Sequence, residues 1–172
     1  MKSIYFLGMF VVITLFESCT TNSYKYLSHK GLVSHYHDLP LYKFETTQKL
    51  ILDITVLETD TLNVTFHFSL DNVNSSQFKF LNATSKVSTS NAIDSAKSKS
   101  FTFSDLKIIY LDLKNNMVRY EAKMSESDFL QWIQLNSCSI SLSSNTYSSV
   151  YYPEFRFING VNLIKESFRH KL

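Results

Sequence analysis

The local group of residues with metal-binding chemistry lies in the stretch SHKGLVSHYHD, which contains His29, His35, His37 and Asp38. His35 and His37 are two residues apart, so on an extended segment they share one side. Neutral imidazoles at such spacing can ligate zinc or copper. No second cluster, cysteine pair or HExxH motif accompanies them. A solvated surface segment is therefore the favoured interpretation, and we expect no metal site.

Two further residues have side chains that act in catalysis elsewhere. His67 lies on the polar side of an alternating segment, but the sequence has no G-x-S-x-G turn that would present a nucleophilic serine. Cys138 shares one side of another alternating segment with Ile140 and Leu142, which is typical of a small core residue. We therefore expect no catalytic residue and no enzyme activity.

Acidic and aromatic groups give weaker signals. Tyr147, Tyr151 and Tyr152 lie near Phe155 and Phe157, and aromatic residues around a loop can form a ligand or protein contact. Packing at a sheet edge explains them at least as well. The acidic residues near the first predicted hairpin lack the spacing of a calcium-binding loop: Asp53, Glu58, Asp60 and Asp71. No cofactor is expected.

The N-terminal segment has the features of a secretory signal peptide. One lysine, Lys2, stands beside the start, and residues 4–16 then run for 13 residues without a charge. A helix of that length reaches about 20 Å, short of a hydrocarbon core of ~30 Å. A basic start followed by a short apolar run is typical of a signal peptide, which we place at residues 1–18.

The residues that follow carry the family resemblance. The segment Leu15-Phe16-Glu17-Ser18-Cys19 resembles the lipobox of bacterial lipoproteins, in which the leader is removed before the cysteine and the cysteine is acylated. Ser18 fits the small residue before the cut, Phe16 fills the apolar position, and Glu17 departs from the usual small residue. The resemblance implies a lipid on Cys19 that holds the chain on a membrane. An ordinary signal peptide and an uncleaved anchor are the alternatives.

Composition bounds the remaining possibilities. The 172 residues favour one domain, and a net charge of +2 gives no reason to expect a nucleic-acid partner. If Cys19 carries lipid, the mature chain keeps Cys138 as its one thiol and forms no internal disulfide. The expected location is the bacterial cell envelope, exported, membrane-anchored and facing away from the cytoplasm.

Alternation of apolar and polar residues predicts mainly strands. Residues 50–57 and 62–71 form the first predicted hairpin, and residues 106–113 and 117–124 the second, with an Asn-containing turn between its strands. Weaker strands are predicted near Leu41–Thr46, at Phe78–Leu81, at residues 137–143 and at Phe155–Phe157. Residues 83–100 are rich in Ser, Thr and Lys and predict a long mobile surface loop.

Two helices complete the prediction. Ser125 followed by Glu126 and Asp128 is typical of a helix start, so a short helix is expected over residues 126–135, with Asn136 as its C-terminal cap. Val161, Ile164 and Phe168 have helical spacing and predict a C-terminal helix over residues 161–170.

The predicted fold is α+β, mainly β, with an antiparallel sheet or β-sandwich and the two helices packed on it. Its organisation is a signal peptide (1–18), a lipid-attached tether and irregular lead-in (19–40) and one globular domain (41–172). The expected function is that of a cell-envelope lipoprotein displaying a domain that binds a protein or surface component without catalysis. The alternatives are an accessory subunit of an envelope or secretion complex, and a secreted or signal-anchored protein of another activity.

Overall fold

A computed structural model describes residues 23–73, 82–88, 98–134, 137–145 and 147–172. Within these ranges the chain forms nine strands, two α-helices and a final 3-10 turn. The strands are β1 (Ser23–Ser28), β2 (Gly31–Lys43), β3 (Lys49–Glu58), β4 (Leu62–Leu70), β5 (Asn82–Ser88), β6 (Ser98–Asp112), β7 (Met117–Met124), β8 (Ser137–Ser143) and β9 (Ser148–Pro153). The helices are α1 (Glu126–Trp132) and α2 (Phe155–Ser167), and Arg169–Lys171 form the 3-10 turn.

The nine strands form one antiparallel sheet, in which β2 to β9 close into an eight-stranded barrel and β1 is an additional strand paired with β2. The order is β1-β2-β3-β4-β7-β6-β5-β8-β9, and β9 also pairs with β2. The predicted antiparallel sheet is confirmed, whereas a sandwich of two sheets is wrong. The reason is the long strand β2, whose first half pairs with β1 and whose last three residues pair with β9. A register shift between Tyr36 and Leu39 bends β2 between these two halves.

One side of the strands supplies the core. In β4 every second residue, from Leu62 to Leu70, is buried, and the residues between them are polar. An eight-stranded barrel is just wide enough for side chains to fill its interior. Cys138 is buried with Ile140 and Leu142 in the same core, as the alternation of β8 predicts.

Both helices add aromatic side chains to this core. The ring centroid of Trp132 in α1 lies 5.6 Å from that of Phe66 in β4 and 6.3 Å from that of Phe157 in α2. Phe129 and Phe168 approach to 5.7 Å, edge to face. Such edge-to-face contacts are the favoured geometry of aromatic pairs.

No helix of the described ranges combines the length and the hydropathy needed to cross a membrane.

The helix boundaries partly match the prediction. The Ser125 hydroxyl accepts a hydrogen bond from the Asp128 amide (3.1 Å), so the predicted cap of α1 is confirmed, although the helix ends at Trp132. The predicted edge strand at Phe155–Phe157 is wrong, because α2 begins there. Phe157, Val161 and Ile164 are buried at helical spacing, so the helix begins six residues before the predicted residue 161.

Two segments predicted to be irregular contain strands. A tether and lead-in were expected over residues 19–40, but β1 and β2 occupy residues 23–28 and 31–43. A mobile loop was expected over residues 83–100, but this range contains most of β5 and the start of β6. β5 pairs on both sides, and Ala83 lies between Phe103 and Leu142. Apolar partners on the neighbouring strands therefore compensate for the weak strand signal of its own sequence. The predicted signal peptide, Cys19, the strand Phe78–Leu81 and Asn136 lie outside the described residues.

Candidate functional site

A continuous row of aromatic and charged side chains crosses the outside of the barrel. Cross-strand register links β1 to β2, β3, β4, β7 and β6 along this row. We call it the outer strip, and its members are Tyr24, Tyr26, His35, His37, Asp53, His67, Lys107, Arg119 and Glu121.

The β1 end of the outer strip is a cluster of four rings, and the planes of the neighbouring rings lie within 30° of each other. Tyr24 lies opposite His35, with ring centroids 4.7 Å apart, and 5.2 Å from His37. Tyr26 lies 5.7 Å from His35, and the two imidazoles are also 5.7 Å apart with planes only 7° from parallel. About half the surface of each tyrosine is exposed to solvent (51% and 49%). This cluster therefore presents an aromatic surface to the outside.

Asp53 organises the middle of the strip. Its side chain is only 12% exposed, and Oδ2 accepts a hydrogen bond from Nη2 of Arg119 at 2.7 Å. Oδ1 accepts a hydrogen bond from the Asp38 amide at 3.0 Å and lies 3.7 Å from Nδ1 of His37. Asp38 has a positive φ of 57°, at the bend of β2. The irregular backbone of β2 thus turns the amide of Asp38 toward the carboxylate of Asp53. β-Bulges are common next to functional sites, where they redirect groups of the strand.

A second ion pair continues the strip toward β6. Nε2 of His67 lies 3.4 Å from Oε2 of Glu121, and Nζ of Lys107 lies 2.8 Å from Oε1 of the same carboxylate. The hydrogen bond from Lys107 is the main reason that the pKa of Glu121 is held below its usual value. The carboxylate of Glu121 is therefore ionised at neutral pH and bridges three strands.

Two histidines of the strip are neutral at neutral pH. Burial, followed by the nearby His37 and His67, lowers the pKa of His35 from 6.5, and Thr55 Oγ1 lies 2.8 Å from Nδ1 of His35. Burial and the Arg119 guanidinium lower the pKa of His67 against the opposing effect of Glu121. Both imidazoles can therefore donate and accept hydrogen bonds at pH 7.

The residues considered for metal binding are only partly brought together. His35 and His37 lie side by side in the strip, Asp38 contributes its amide, and His29 lies in the turn between β1 and β2. Across the described ranges, no group of three or more His, Cys, Asp or Glu side chains is arranged to hold a metal ion. His67 belongs to the strip, while Cys138 is in the core.

The aromatic residues near the last loop are divided between core and surface. Tyr151 and Phe157 are buried, and Tyr152 and Phe155 are exposed. Tyr147 accepts a hydrogen bond from Nζ of Lys43 (2.7 Å), which lies beside the seam where β2 and β9 close the barrel. Packing and closure of the barrel thus account for most of this group.

Glu58 is the acidic residue with a distinct role outside the strip. Its Oε1 lies 3.3 Å from both Nε2 of His170 and Nζ of Lys171, so it holds the C-terminal turn against the end of β3. Asp71 contributes its backbone carbonyl to a hydrogen bond from Gln48, and Asp60 lies exposed in the turn after β3.

Five members of the strip were not predicted from the sequence: Tyr24, Tyr26, Lys107, Arg119 and Glu121. Alternation along β7 places Arg119 and Glu121 on its polar side, but their partners Asp53 and His67 are 66 and 54 positions away in the chain. The strand positions alone give the side of the sheet, whereas the neighbouring strand is set by the barrel topology. The alternation of Tyr24 and Tyr26 was the available signal for β1.

Comparison with known proteins gives no relative: no protein-family model, curated protein or solved structure matches this chain.

Proposed function

We propose that this chain is a cell-envelope lipoprotein that displays a β-barrel for binding a protein or surface component, without a catalytic step. The leader ending at Ser18 is removed, Cys19 carries the lipid, and the barrel faces away from the cytoplasm. The membrane is contacted through the lipid, and the partner is contacted through the outside of the barrel.

The proposed lipidation and membrane location rest on the lipobox-like segment ending at Cys19. Strand β1 begins at Ser23, four residues after Cys19. Even fully extended, four residues span at most about 14 Å. Processing at this cysteine would therefore hold the barrel close to the membrane surface, with β1 nearest to the lipid.

The observation that carries the binding part of the proposal is the outer strip. The inward side chains of the strands and the apolar faces of both helices share one buried core. A partner can therefore contact only the outer surface of the barrel, where the outer strip combines exposed tyrosines with oriented charged groups. Tyrosine and arginine are enriched where proteins contact their ligands and partners.

Metabolic labelling tests whether Cys19 is acylated and holds the chain on the membrane. Full-length chain is produced in a bacterial host supplied with an alkyne analogue of palmitate, and the membrane and soluble fractions are compared for label and protein. We expect label on the wild type in the membrane fraction and no label on Cys19→Ala. Cys138→Ala is the matched control, because it removes the other cysteine and should keep the label.

The alternatives give different results in the same experiment. An ordinary signal peptide would yield unlabelled protein in the soluble fraction, and an uncleaved anchor would yield unlabelled protein in the membrane. Either result rejects the lipoprotein proposal. An accessory subunit of an envelope complex would be labelled and would also co-purify in fixed ratio with other membrane proteins.

A further inference from the structure

We infer that the outer strip binds a neutral polysaccharide chain. This inference rests on the proposed display of the barrel at the cell envelope and names the class of surface component. The features that carry it are the ring cluster at β1, the balanced charges of the strip and its shape on the outside of the sheet.

The ring cluster supplies the stacking surface. Tyr24 and Tyr26 keep about half of their surface exposed, while His35 and His37 pack beside them with nearly parallel planes. Aromatic faces carry partial negative charge, and the C–H groups on one side of a pyranose ring carry partial positive charge. A sugar ring can therefore pack on these aromatic rings, which are already held in place by their neighbours.

The charges of the strip favour a ligand without net charge. Two carboxylates, Asp53 and Glu121, are paired with two cations, Arg119 and Lys107. An anionic chain such as a nucleic acid would meet the partly exposed carboxylate of Glu121, and a cationic ligand would meet Arg119 and Lys107, which are more exposed. A polyol can accept hydrogen bonds from the two cations and donate one to Glu121, so both signs of charge are useful to it.

The shape of the strip favours a chain over a small molecule. It crosses six neighbouring strands, and strand spacing of about 4.8 Å makes it about 24 Å long. It lies on the outer face of the sheet and ends on β1 and on β6, so a polymer can extend past both ends. Sites for small ligands are concave and bury most of the ligand.

A folded protein partner is less well matched to this surface. The centre of a protein–protein interface is depleted of charged residues, whereas the middle of the strip consists of Asp53, His67, Arg119 and Glu121. Exposed aliphatic side chains that a protein would bury, such as Ile108, Ile109 and Leu111, lie on β6 at one end of the strip and not in its middle.

Affinity electrophoresis of the purified full chain in mild detergent tests the inference. Native gels contain a mixed-linkage β-glucan, a galactomannan, a xylan or a pullulan, and an alginate gel supplies an anionic polymer. We expect at least one neutral polysaccharide to retard the wild type and alginate to have no effect. Tyr24→Ala and Tyr26→Ala should each weaken the apparent affinity about three- to ten-fold.

Tyr152→Ala is the matched control, because Tyr152 is similarly exposed (45%) but lies on β9 outside the strip. It should bind as the wild type does, and thermal melts of all three variants establish that they are folded. If no neutral polysaccharide retards the wild type, or if the strip variants bind as well as Tyr152→Ala, the inference is wrong. A protein captured by the wild type and lost in Tyr24→Ala, without polysaccharide binding, would replace it by a protein partner.

Failure of this inference is separable from failure of the proposed function. Palmitate labelling of Cys19 is measured independently of any ligand. If the chain is labelled but binds no polysaccharide, the inferred ligand class is wrong and the proposal that the chain is a lipoprotein still stands.

Discussion

Asp53 is the residue that joins the two ends of the outer strip. It lies on the outer side of β3, yet it is almost fully covered, because Arg119 and the bend of β2 close over it. A carboxylate that loses contact with water is stabilised only when charged or polar groups compensate. The Arg119 guanidinium and the Asp38 amide provide that compensation from two different strands.

Replacing this carboxylate should therefore destabilise the barrel. We expect Asp53→Asn to lower the free energy of unfolding by about 1–3 kcal/mol, because Arg119 loses its charged partner. Urea unfolding at pH 7 measures the change. Asp105→Asn is the control, since Asp105 is 67% exposed and lies 3.8 Å from Lys123, and a loss below about 1 kcal/mol is expected there. Equal losses for the two variants would contradict the role given to Asp53.

His67 should make the stability of the fold depend on pH. Its pKa is lowered in the folded protein by burial and by Arg119, with Glu121 and Asp53 opposing. The unfolded chain therefore binds a proton more readily, and stability falls as pH decreases below about 6.5.

The urea midpoint of His67→Gln should decline less than that of the wild type between pH 7.5 and pH 5. His29→Gln, in the exposed turn before β2, is the matched control and should follow the wild type. A decline in His67→Gln as steep as in the wild type would show that His67 does not contribute.

At the scale of elements, α1 is held by its aromatic contacts with the barrel. Trp132 packs edge to face on Phe66 of β4 and on Phe157 of α2. We expect Trp132→Ala to cost about 3–5 kcal/mol of stability, because a large buried side chain leaves a cavity. Trp132→Phe should cost less, which keeps the test usable if the alanine variant does not fold. Leu163→Ala, at an exposed position of α2, should cost under about 1 kcal/mol.

The C-terminal turn is attached to the barrel by Glu58. Burial alone would raise the pKa of Glu58, but hydrogen bonds from His170 and Lys171 outweigh it and hold the pKa below 4.5. A carboxylate with a depressed pKa stabilises the fold above pH 4.5, and this contribution is lost as pH falls through the folded-state pKa.

Thermal melts should therefore show Glu58→Gln below the wild type at pH 7, with the difference shrinking toward pH 3. Glu166→Gln is the control, because Glu166 is exposed and pairs loosely with Arg169 at 3.9 Å. A difference for Glu58→Gln that is the same at pH 7 and pH 3 would contradict the ionic attachment.

The elements that were predictable from sequence are those with strong local signals. Strand β4 alternates over nine residues, and Ser125 begins a helix with acidic residues in its first turn. β5 and the first part of α2, before residue 161, were not predicted, because their stability comes from distant partners. Ala83 is buried between Phe103 and Leu142, and Phe157 is buried against Trp132. Local patterns do not contain such pairings.

At the scale of the whole molecule, closure of the barrel depends on a few distant contacts. β2 and β9 meet through three residue pairs, including Leu41 with Pro153, and they are more than 100 residues apart in sequence. Sequence patterns give the strands and their inward sides, which both a sandwich and a barrel satisfy. The outer strip depends on the same topology, because its six strands become neighbours only in the folded sheet.

The intact mass of the mature protein, purified from bacterial membranes after expression of the full-length chain, tests most directly whether the barrel is displayed from a lipidated Cys19. We expect a mass that corresponds to a chain beginning at Cys19 plus fatty acyl groups. A mass that still includes residues 1–18, or one of a chain beginning at Cys19 with an unmodified thiol, would contradict the claim.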